Sequence, residues 1–207
     1  MAFYIYNLHG QIPYESGKDW RRVSAGEEVA PAKKGKQDFL EVREKKKEKS
    51  LQKEIPFQRN FSHSGREAPL YASQIMTSSV KALKPFNTLE DAWNLIDENI
   101  FRHVPILSEE EKLVGIVSDR GLIHMVASLG ENFAAGKKKV FVSDIMVRNV
   151  LTARPHTDIS YISQIFVSER IGAMPIMGEN DKLLGILTRT DILRTLVKVM
   201  TPNHFLA

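Results

Sequence analysis

The sequence predicts a mixed α/β fold in which one structural unit occurs twice, and three observations lead to this prediction. The stretch from Ser73 to Val126 returns as Ser143 to Leu196 without insertion or deletion. In each copy, short apolar runs typical of buried strands alternate with stretches whose apolar residues fall three and four apart, as in amphipathic helices. Two copies are too few for a solenoid, which needs about three or more stacked repeats. We therefore expect a closed pair, in which each copy covers the apolar face of the other.

Identical residues at a constant offset of seventy mark the equivalent positions of the two copies. In copy one they are Ser73, Ile75, Met76, Val80, Pro85, Pro105, Ile106, Glu109, Lys112, Leu113, Gly115 and Ile116; in copy two they are Ser143, Ile145, Met146, Val150, Pro155, Pro175, Ile176, Glu179, Lys182, Leu183, Gly185 and Ile186.

The first half of each copy predicts a helical turn, a strand and a helix. The turns lie around Ile75-Met76 and Ile145-Met146. In copy one, Val80 to Leu83 predicts a short strand that ends before Pro85, and Thr88 is placed to cap the next helix. The apolar positions of that helix predict one buried face; they are Leu89, Ala92, Trp93, Ile96 and Ile100.

The second half of each copy predicts two strands and a helix. Val104 to Leu107 and Leu113 to Val117 are apolar runs on either side of the charged turn Glu109 to Lys112, which indicates a buried hairpin. The helix that follows has an apolar stripe in both copies, formed by Leu122, Ile123, Val126 and Leu129 in the first and by Ile192, Leu193, Leu196, Val197 and Met200 in the second. The predicted order is β-α-β-β-α, twice.

These patterns divide the chain into a leader at 1–70, copy one at 71–131, a linker at 132–139 and copy two at 140–203. The leader carries fourteen Lys and Arg against ten Asp and Glu, which accounts for the whole net charge of +4. Lys33 to Lys53 has too few large apolar residues to fold alone, so we expect most of the leader to be disordered or loosely structured. A small hairpin around Asn7 to Gly10 is an alternative for its start, although Pro13 weakens the second strand.

Composition excludes several classes of function. The chain has no cysteine, so disulfides and thiolate chemistry are excluded. No nucleophile elbow, phosphate-binding glycine loop or metal-ligand spacing occurs, so we expect no enzyme activity, no cofactor and no metal site. No apolar run reaches the length of a membrane span, and we expect a cytoplasmic protein without membrane insertion. The basic leader is compatible with nucleic-acid binding, but its interleaved acidic residues favour a solvated tail.

The segment Gly185 to Asp191 is the strongest candidate for a binding site. Thr188 followed three residues later by Asp191 fits a helix cap. The same arrangement presents a hydroxyl and free backbone N–H groups to an anion, while a carboxylate can accept hydrogen bonds from a sugar diol. A nucleotide carries both groups, so capping and nucleotide binding are both open at this point.

With these residues in place, the two copies resemble the paired CBS domains that form a Bateman module. The resemblance covers about residues 71–200 and rests on Ile75-Met76 and Ile145-Met146, on Val104-Pro105-Ile106 and Met174-Pro175-Ile176, and on the Gly185 to Asp191 segment. It implies two β-α-β-β-α units packed through their sheets around a pseudo-twofold axis. It also implies adenosine-containing ligands bound in clefts between the units, a homodimer, and signalling to a protein partner that the sequence does not identify.

The resemblance implies one complete cleft. Asp191, Thr188 and Ile186 come from copy two, and the other residues come from the first strand and the start of the second strand of copy one. The residues implied are Thr188, Asp191, Arg102, His103, Pro105, Val80, Lys81, Ala82 and Ile186. Arg102 and His103 would face phosphates and Asp191 the ribose. Two simpler interpretations stay open, namely that Arg102 pairs with Glu98 on the helix surface and that His103 is structural.

The second cleft departs from the family pattern and is expected to be vestigial or differently used. The residues implied there are Ser118, Gly121, Ala173, Pro175 and Thr152. Gly121 stands where the carboxylate is expected, and Gly172-Ala173 replace the basic pair. Asp119 lies two positions before Gly121. It would serve as the carboxylate only if the helix of copy one began at a different residue.

Two functional hypotheses follow. The first is a regulatory sensor that binds AMP, ADP or ATP, with S-adenosylmethionine and cyclic di-AMP ranked lower. The second is a constitutive dimerisation or interaction scaffold with no bound ligand. Nucleic-acid association through the basic tail ranks below both.

Overall fold

The computed structural model describes residues 3–7, 10–15, 20–22, 69–129 and 139–200. All of them belong to one unit composed of Met1–Val23 and Pro69–Ala207. The predictions for the stretch Lys33 to Lys53, for the linker up to residue 138 and for the end of copy two beyond residue 200 lie outside the described residues.

The described part of the leader forms two strands and a turn. β1 (Tyr4–Asn7) pairs with β2 (Gly10–Pro13) in an antiparallel hairpin, and a single 3-10 turn follows at Trp20–Arg22. Gly10 has a φ of 112°, a backbone conformation that favours glycine. Pro13 is tolerated because it is the last residue of an edge strand. The hairpin that the sequence offered around Asn7 to Gly10 is therefore present, and the prediction for the rest of the leader lies outside the described residues.

The two copies have the predicted mixed α/β architecture. Copy one contains α1 (Ala72–Ile75), β3 (Thr77–Ser78), α2 (Leu89–Asn99), β4 (His103–Leu107), β5 (Leu113–Ser118) and α3 (Asp119–Leu129). Copy two contains a 3-10 turn at Val142–Asp144, β6 (Val150–Thr152), α4 (Ile159–Ser168), β7 (Ala173–Met177), a 3-10 turn at Glu179–Asp181, β8 (Leu183–Thr188) and α5 (Arg189–Met200). Thr88 caps α2 as predicted, since its side chain accepts a hydrogen bond from Asp91 N.

The copies exchange the segments that lead into them. The backbone N–H groups of Ala72 and Ser73, in copy one, donate to the carbonyls of Thr157 and Pro155 in copy two. The equivalent N–H groups of Val142 and Ser143 donate to the carbonyls of Asn87 and Pro85 in copy one. Each lead-in segment thus completes the other copy, which is the closed pairing that the repeat predicts.

Each lead-in segment also pairs with the last strand of the other copy. β3 pairs antiparallel with β8, and Val147 forms the equivalent bridge to Ile116 of β5. The resulting sheets have the orders β3-β8-β7, β4-β5 and β2-β1-β6. In the third sheet the leader supplies two strands and copy two supplies one.

Two predictions about copy one are wrong. Val80 to Leu83 forms no strand, and only Leu83 makes a bridge, to Ile106. The predicted apolar face of α2 is only partly buried, since Trp93 is 44% exposed and Ile100 is 91% exposed. Ile100 caps the helix in a left-handed backbone conformation, which turns it away from the helical face that Leu89 and Ile96 bury.

Candidate functional site

Thr188 and Asp191 meet where β8 runs into α5. The Asp191 carboxylate accepts hydrogen bonds from Thr188 N at 2.8 Å and from the Thr188 hydroxyl at 2.7 Å, both at Oδ2. Its other oxygen, Oδ1, lies 3.6 Å from Arg194 on the same helix. Asp191 is 8% exposed, which is rare for a carboxylate and is tolerated because both oxygens have partners. The capping interpretation of this pair is therefore realised in the structure.

His103 lies where the two copies meet. Its imidazole packs so closely on Gly172 of copy two that a Cβ at that glycine would lie 2.9 Å from His103 Cε1. Burial lowers the pKa of His103, Asp119 opposes this effect, and Arg189 and Arg102 add to it. His103 is thus held as a neutral base beside the first residue of α5.

Arg102 contributes to a cavity in copy one. It lines a cavity of about 280 Å³ between α2 and α3, together with Trp93, Ile96, Asp97, Ile100, Phe101, Asp119, Leu122 and Ile123. The contacts found for Asp191 lie within its own capping segment and α5, and those found for Arg102 lie within copy one. The grouping of Arg102 with Asp191 in one cleft stays a prediction.

The remaining residues of the first cleft are spread along the strands. Pro105 is buried in β4 opposite Ile116, and its carbonyl accepts from Leu83 N. Ile186 is buried in the centre of its sheet, between Thr77 and Pro175. Val80 and Ala82 are half-buried, while Lys81 is exposed and its ammonium donates to Asn99 of α2 at 2.7 Å.

In the second cleft, Ser118 Oγ accepts a hydrogen bond from Gly121 N at 3.1 Å, so the hydroxyl caps α3 without a carboxylate. Asp119 does not replace that carboxylate, because α3 begins at Asp119 just as α5 begins at the equivalent Arg189. Its side chain instead accepts from Arg120 N at 2.6 Å and lines the cavity between α2 and α3. The second cleft therefore has no acid at the position of Asp191.

The strand residues of the second cleft are already engaged. Ala173 and Pro175 are buried in β7, opposite Thr188 and Ile186. Thr152 is fully buried, and its hydroxyl donates to the carbonyl of Tyr4 at 3.1 Å. The N-terminal strand occupies the hydroxyl and the strand edge of Thr152, and a ligand contact at this residue stays a prediction.

The sequence did not predict the residues that hold the leader in place. Glu169 accepts hydrogen bonds from Tyr14 OH and Trp20 Nε1, each at 2.7 Å. Arg154 donates to Gln11 Oε1 at 3.2 Å, and its guanidinium lies 5.1 Å from the centre of the Tyr4 ring. Glu169 follows a helix and Arg154 follows a strand. No local sequence pattern around either residue predicts a contact with a residue about 150 positions away.

Comparison with known proteins assigns the repeat. Residues 72–128 and 142–198 each match the CBS domain. The chain belongs to the CBS domain family. The two matches cover more than half of the chain and coincide with the two copies, so the repeat is a CBS pair.

Several characterised and uncharacterised proteins are similar to this chain. A CBS domain-containing protein of Dictyostelium discoideum is 28% identical over 134 residues, which cover 62% of this chain and 92% of that protein. A homoserine O-acetyltransferase of Methanohalobium evestigatum is 28% identical over 124 residues, or 60% of this chain and 24% of the enzyme. An uncharacterized protein of Methanocaldococcus jannaschii is 31% identical over 125 residues, which cover 58% of this chain and 44% of that protein. The chain thus spans less than half the length of the latter two.

Solved structures share the fold. CBSX2 in complex with AMP has a TM-score of 0.55 and 25% identity, and the match covers 63% of this chain and 98% of that one. A putative acetoin utilization protein from Vibrio cholerae, AcuB, has a TM-score of 0.55 and 27% identity, and the match covers 64% of this chain and 93% of that one.

Membrane spans and metal clusters are both absent from the described residues. Among residues 3–7, 10–15, 20–22, 69–129 and 139–200, no helix is long and apolar enough to cross a membrane. In the same part of the chain, no three His, Cys, Asp or Glu side chains are grouped so that they could hold a metal ion.

Proposed function

We propose that this CBS pair is a regulatory sensor that binds an adenine nucleotide in the cleft at Thr188 and Asp191. The observation that carries the proposal is the Thr188–Asp191 pair at the N-terminus of α5, a twelve-residue helix. Backbone N–H groups at such a helix end bind anions, and the helix dipole favours negative charge there. The AMP held by the related CBSX2 supports an adenine nucleotide as the ligand.

The capping bonds leave Asp191 able to take part. A carboxylate offers about four lone-pair sites, and the two bonds from Thr188 use one oxygen. Oδ1 faces the exposed side chain of Arg194 at 3.6 Å, beyond hydrogen-bond distance, so it retains capacity to accept from ribose hydroxyls. Capping and ligand binding are then compatible in one side chain.

The other residues of the cleft have defined parts in this proposal. His103 contributes a neutral imidazole at the copy boundary, and Val80 to Ala82 offer half-buried apolar surface and backbone groups for the adenine. We rank AMP, ADP and ATP ahead of S-adenosylmethionine and cyclic di-AMP. The proposed role is regulatory rather than catalytic, with a protein partner that receives the signal.

A second copy of the chain is the partner that the exposed helices fit. The α2–α3 face exposes Trp93, Ile100 and Ile123 and carries Asp97 and Asp119. The α4–α5 face exposes Val167, Leu193, Leu196 and Val197 and carries Arg170 and Arg189. A head-to-tail homodimer would bury the apolar surface of both faces and bring Asp97 and Asp119 near Arg170 and Arg189, although Arg102 also lies on the α2–α3 face.

A melting experiment tests nucleotide binding. At about one hundred times its dissociation constant, a nucleotide raises the free energy of unfolding by about 2.7 kcal/mol, and each kcal/mol raises Tm by about 2–4 °C at this size. We expect such a shift with AMP, ADP or ATP in the wild type, and a much smaller one in Asp191→Asn. Asp158→Asn is the matched control, because it removes a capping acid at the start of α4, another helix of copy two, and should keep the shift. The absence of any shift in the wild type would refute the proposal.

A further inference from the structure

The start of the leader is bound to copy two along a strand edge. We call β1, β2 and the Trp20–Arg22 turn the clasp. β1 pairs antiparallel with β6, with Tyr4 opposite Thr152 and Tyr6 opposite Val150. Ile5 and Trp20 are buried in the core of copy two, and Asn149 donates to the carbonyls of Trp20 and Arg21. The clasp is therefore held at two separate places on the module.

Tyr6 reaches beyond copy two. Its ring is 4% exposed and belongs to an apolar cluster drawn from both copies. The members of that cluster besides Tyr6 are Leu107 and Leu113 from copy one and Val150 and Met177 from copy two, with Tyr4, Ala82, Ile116 and Leu183 packed against it. The Tyr6 hydroxyl donates to the Asp181 carboxylate and lies 2.9 Å from Gln11 Oε1, and burial together with Asp181 raises the pKa of Tyr6. Tyr6 thus joins the leader to the boundary between the copies.

One neighbour of this cluster, Ala82, belongs to the Val80 to Ala82 edge of the proposed nucleotide cleft, which does not form a strand. The equivalent residues of copy two, Val150 to Thr152, form a fully buried strand because β1 covers them. Val80 to Ala82 have no strand partner in the described residues and stay half-buried or exposed. A ligand that uses this edge needs Ala82 in a defined position, and Ala82 packs against the cluster that contains Tyr6.

We infer that Tyr6 is a positioning residue for the nucleotide cleft, through which a docked clasp strengthens nucleotide binding. The inference rests on the proposed function. A docked Tyr6 belongs to the cluster against which Ala82 packs, so it supports the position of this edge before a ligand binds. Because coupling is reciprocal, a bound nucleotide must hold the clasp in place by the same factor. Occupancy of the cleft would then be communicated to the leader that follows Arg22.

A disulfide that locks the clasp gives the sharpest test. The chain has no cysteine, so Asn7→Cys with Asn149→Cys introduces the only pair, at side chains whose Nδ2 and Oδ1 atoms lie 3.4 Å apart. We expect the pair to oxidise readily in the full chain. The oxidised form should bind AMP about fivefold more tightly, or better, than the same chain reduced. In the single variant Asn7→Cys, saturating AMP should slow labelling of the thiol by a matching factor.

Three outcomes would overturn the inference, and they are distinguishable. The control pair is Asn7→Cys with Ser128→Cys, at the exposed end of α3. If the Asn7→Cys and Asn149→Cys pair oxidises no faster than this control pair, the clasp is undocked in solution. Equal AMP affinity of the oxidised and reduced forms would show a docked clasp without coupling, and would leave the proposed function standing. No AMP binding to either form or to the wild type would remove the proposed function and this inference together.

A second variant does not depend on the disulfide. Tyr6→Leu removes the ring and hydroxyl without touching Thr188, Asp191 or His103, and it should weaken AMP binding about fivefold. Tyr161→Leu changes a tyrosine that is 48% exposed on α4, outside the clasp, and should leave the affinity unchanged. If both variants fold by circular dichroism and bind AMP alike, Tyr6 has no positioning role.

Discussion

The Met76 side chain lies directly against Gly185, so that a Cβ added to the glycine would fall 2.6 Å from Met76 Sδ. The same contact occurs in the other copy, where a Cβ on Gly115 would fall 2.6 Å from Met146 Sδ. In each case the methionine belongs to a lead-in segment and the glycine to the last strand of the opposite copy. The repeated Met and Gly positions are therefore explained by the exchange of lead-in segments.

This contact predicts a destabilising substitution. Gly185→Ala places a methyl group where Met76 Sδ and the Thr77 carbonyl oxygen already lie within 2.9 Å, so the lead-in segment must shift. Such overpacking costs about 1–3 kcal/mol of the free energy of unfolding, measurable by urea denaturation. Gly121→Ala is the matched control, because its Cβ meets only Ser118 Oγ, at 3.4 Å, and alanine favours the helix by about 0.5–1 kcal/mol. Equal effects of the two changes would contradict this account.

The exchange of lead-in segments also shows how far local sequence predicts this fold. Thr88, the apolar runs of β4 and β5 and the offset of seventy encode elements within one repeat, and these elements were predicted with nearly correct bounds. Val80 and Val150 are identical in the repeat, yet only Val150 lies in a strand, because β1 covers it. That pairing joins residues nearly 150 positions apart, and no local propensity encodes it.

The candidate site likewise combines contacts that the local sequence predicts with contacts that it does not predict. The sequence predicted that Thr188 and Asp191 meet, since the bonds between them are local. The orientation of Arg102 toward the cavity between α2 and α3 depends on neighbouring side chains such as Asp97 and Phe101, which periodicity does not resolve. For the same reason the helical spacing of Trp93 predicted burial, whereas its burial depends on whether another surface covers α2.

His103 makes stability depend on pH in a defined direction. Its folded-state pKa is lowered, chiefly by burial, from the ordinary value of about 6.5. The unfolded chain therefore binds more protons at this site as pH falls below about 6.5, and the free energy of unfolding decreases there, with no contribution from this residue well above that pH. His103→Gln should reduce the loss of Tm between about pH 7.5 and about pH 5.5. An unchanged loss in that variant would show that His103 titrates normally in the folded protein.

The exposed helix faces lead to a prediction about assembly. Stable interfaces bury about 1,200–2,000 Å² of total surface and tolerate a charge poorly at an apolar centre. Ile123 is 55% exposed on the α2–α3 face, so Ile123→Asp should shift the proposed head-to-tail homodimer toward monomer in sedimentation equilibrium. Phe86→Asp is the matched control, since Phe86 is similarly exposed at 61% but precedes α2 and does not line the cavity between α2 and α3. Monomeric wild type at micromolar concentrations would contradict the homodimer, and loss of the dimer in both variants would place its interface elsewhere.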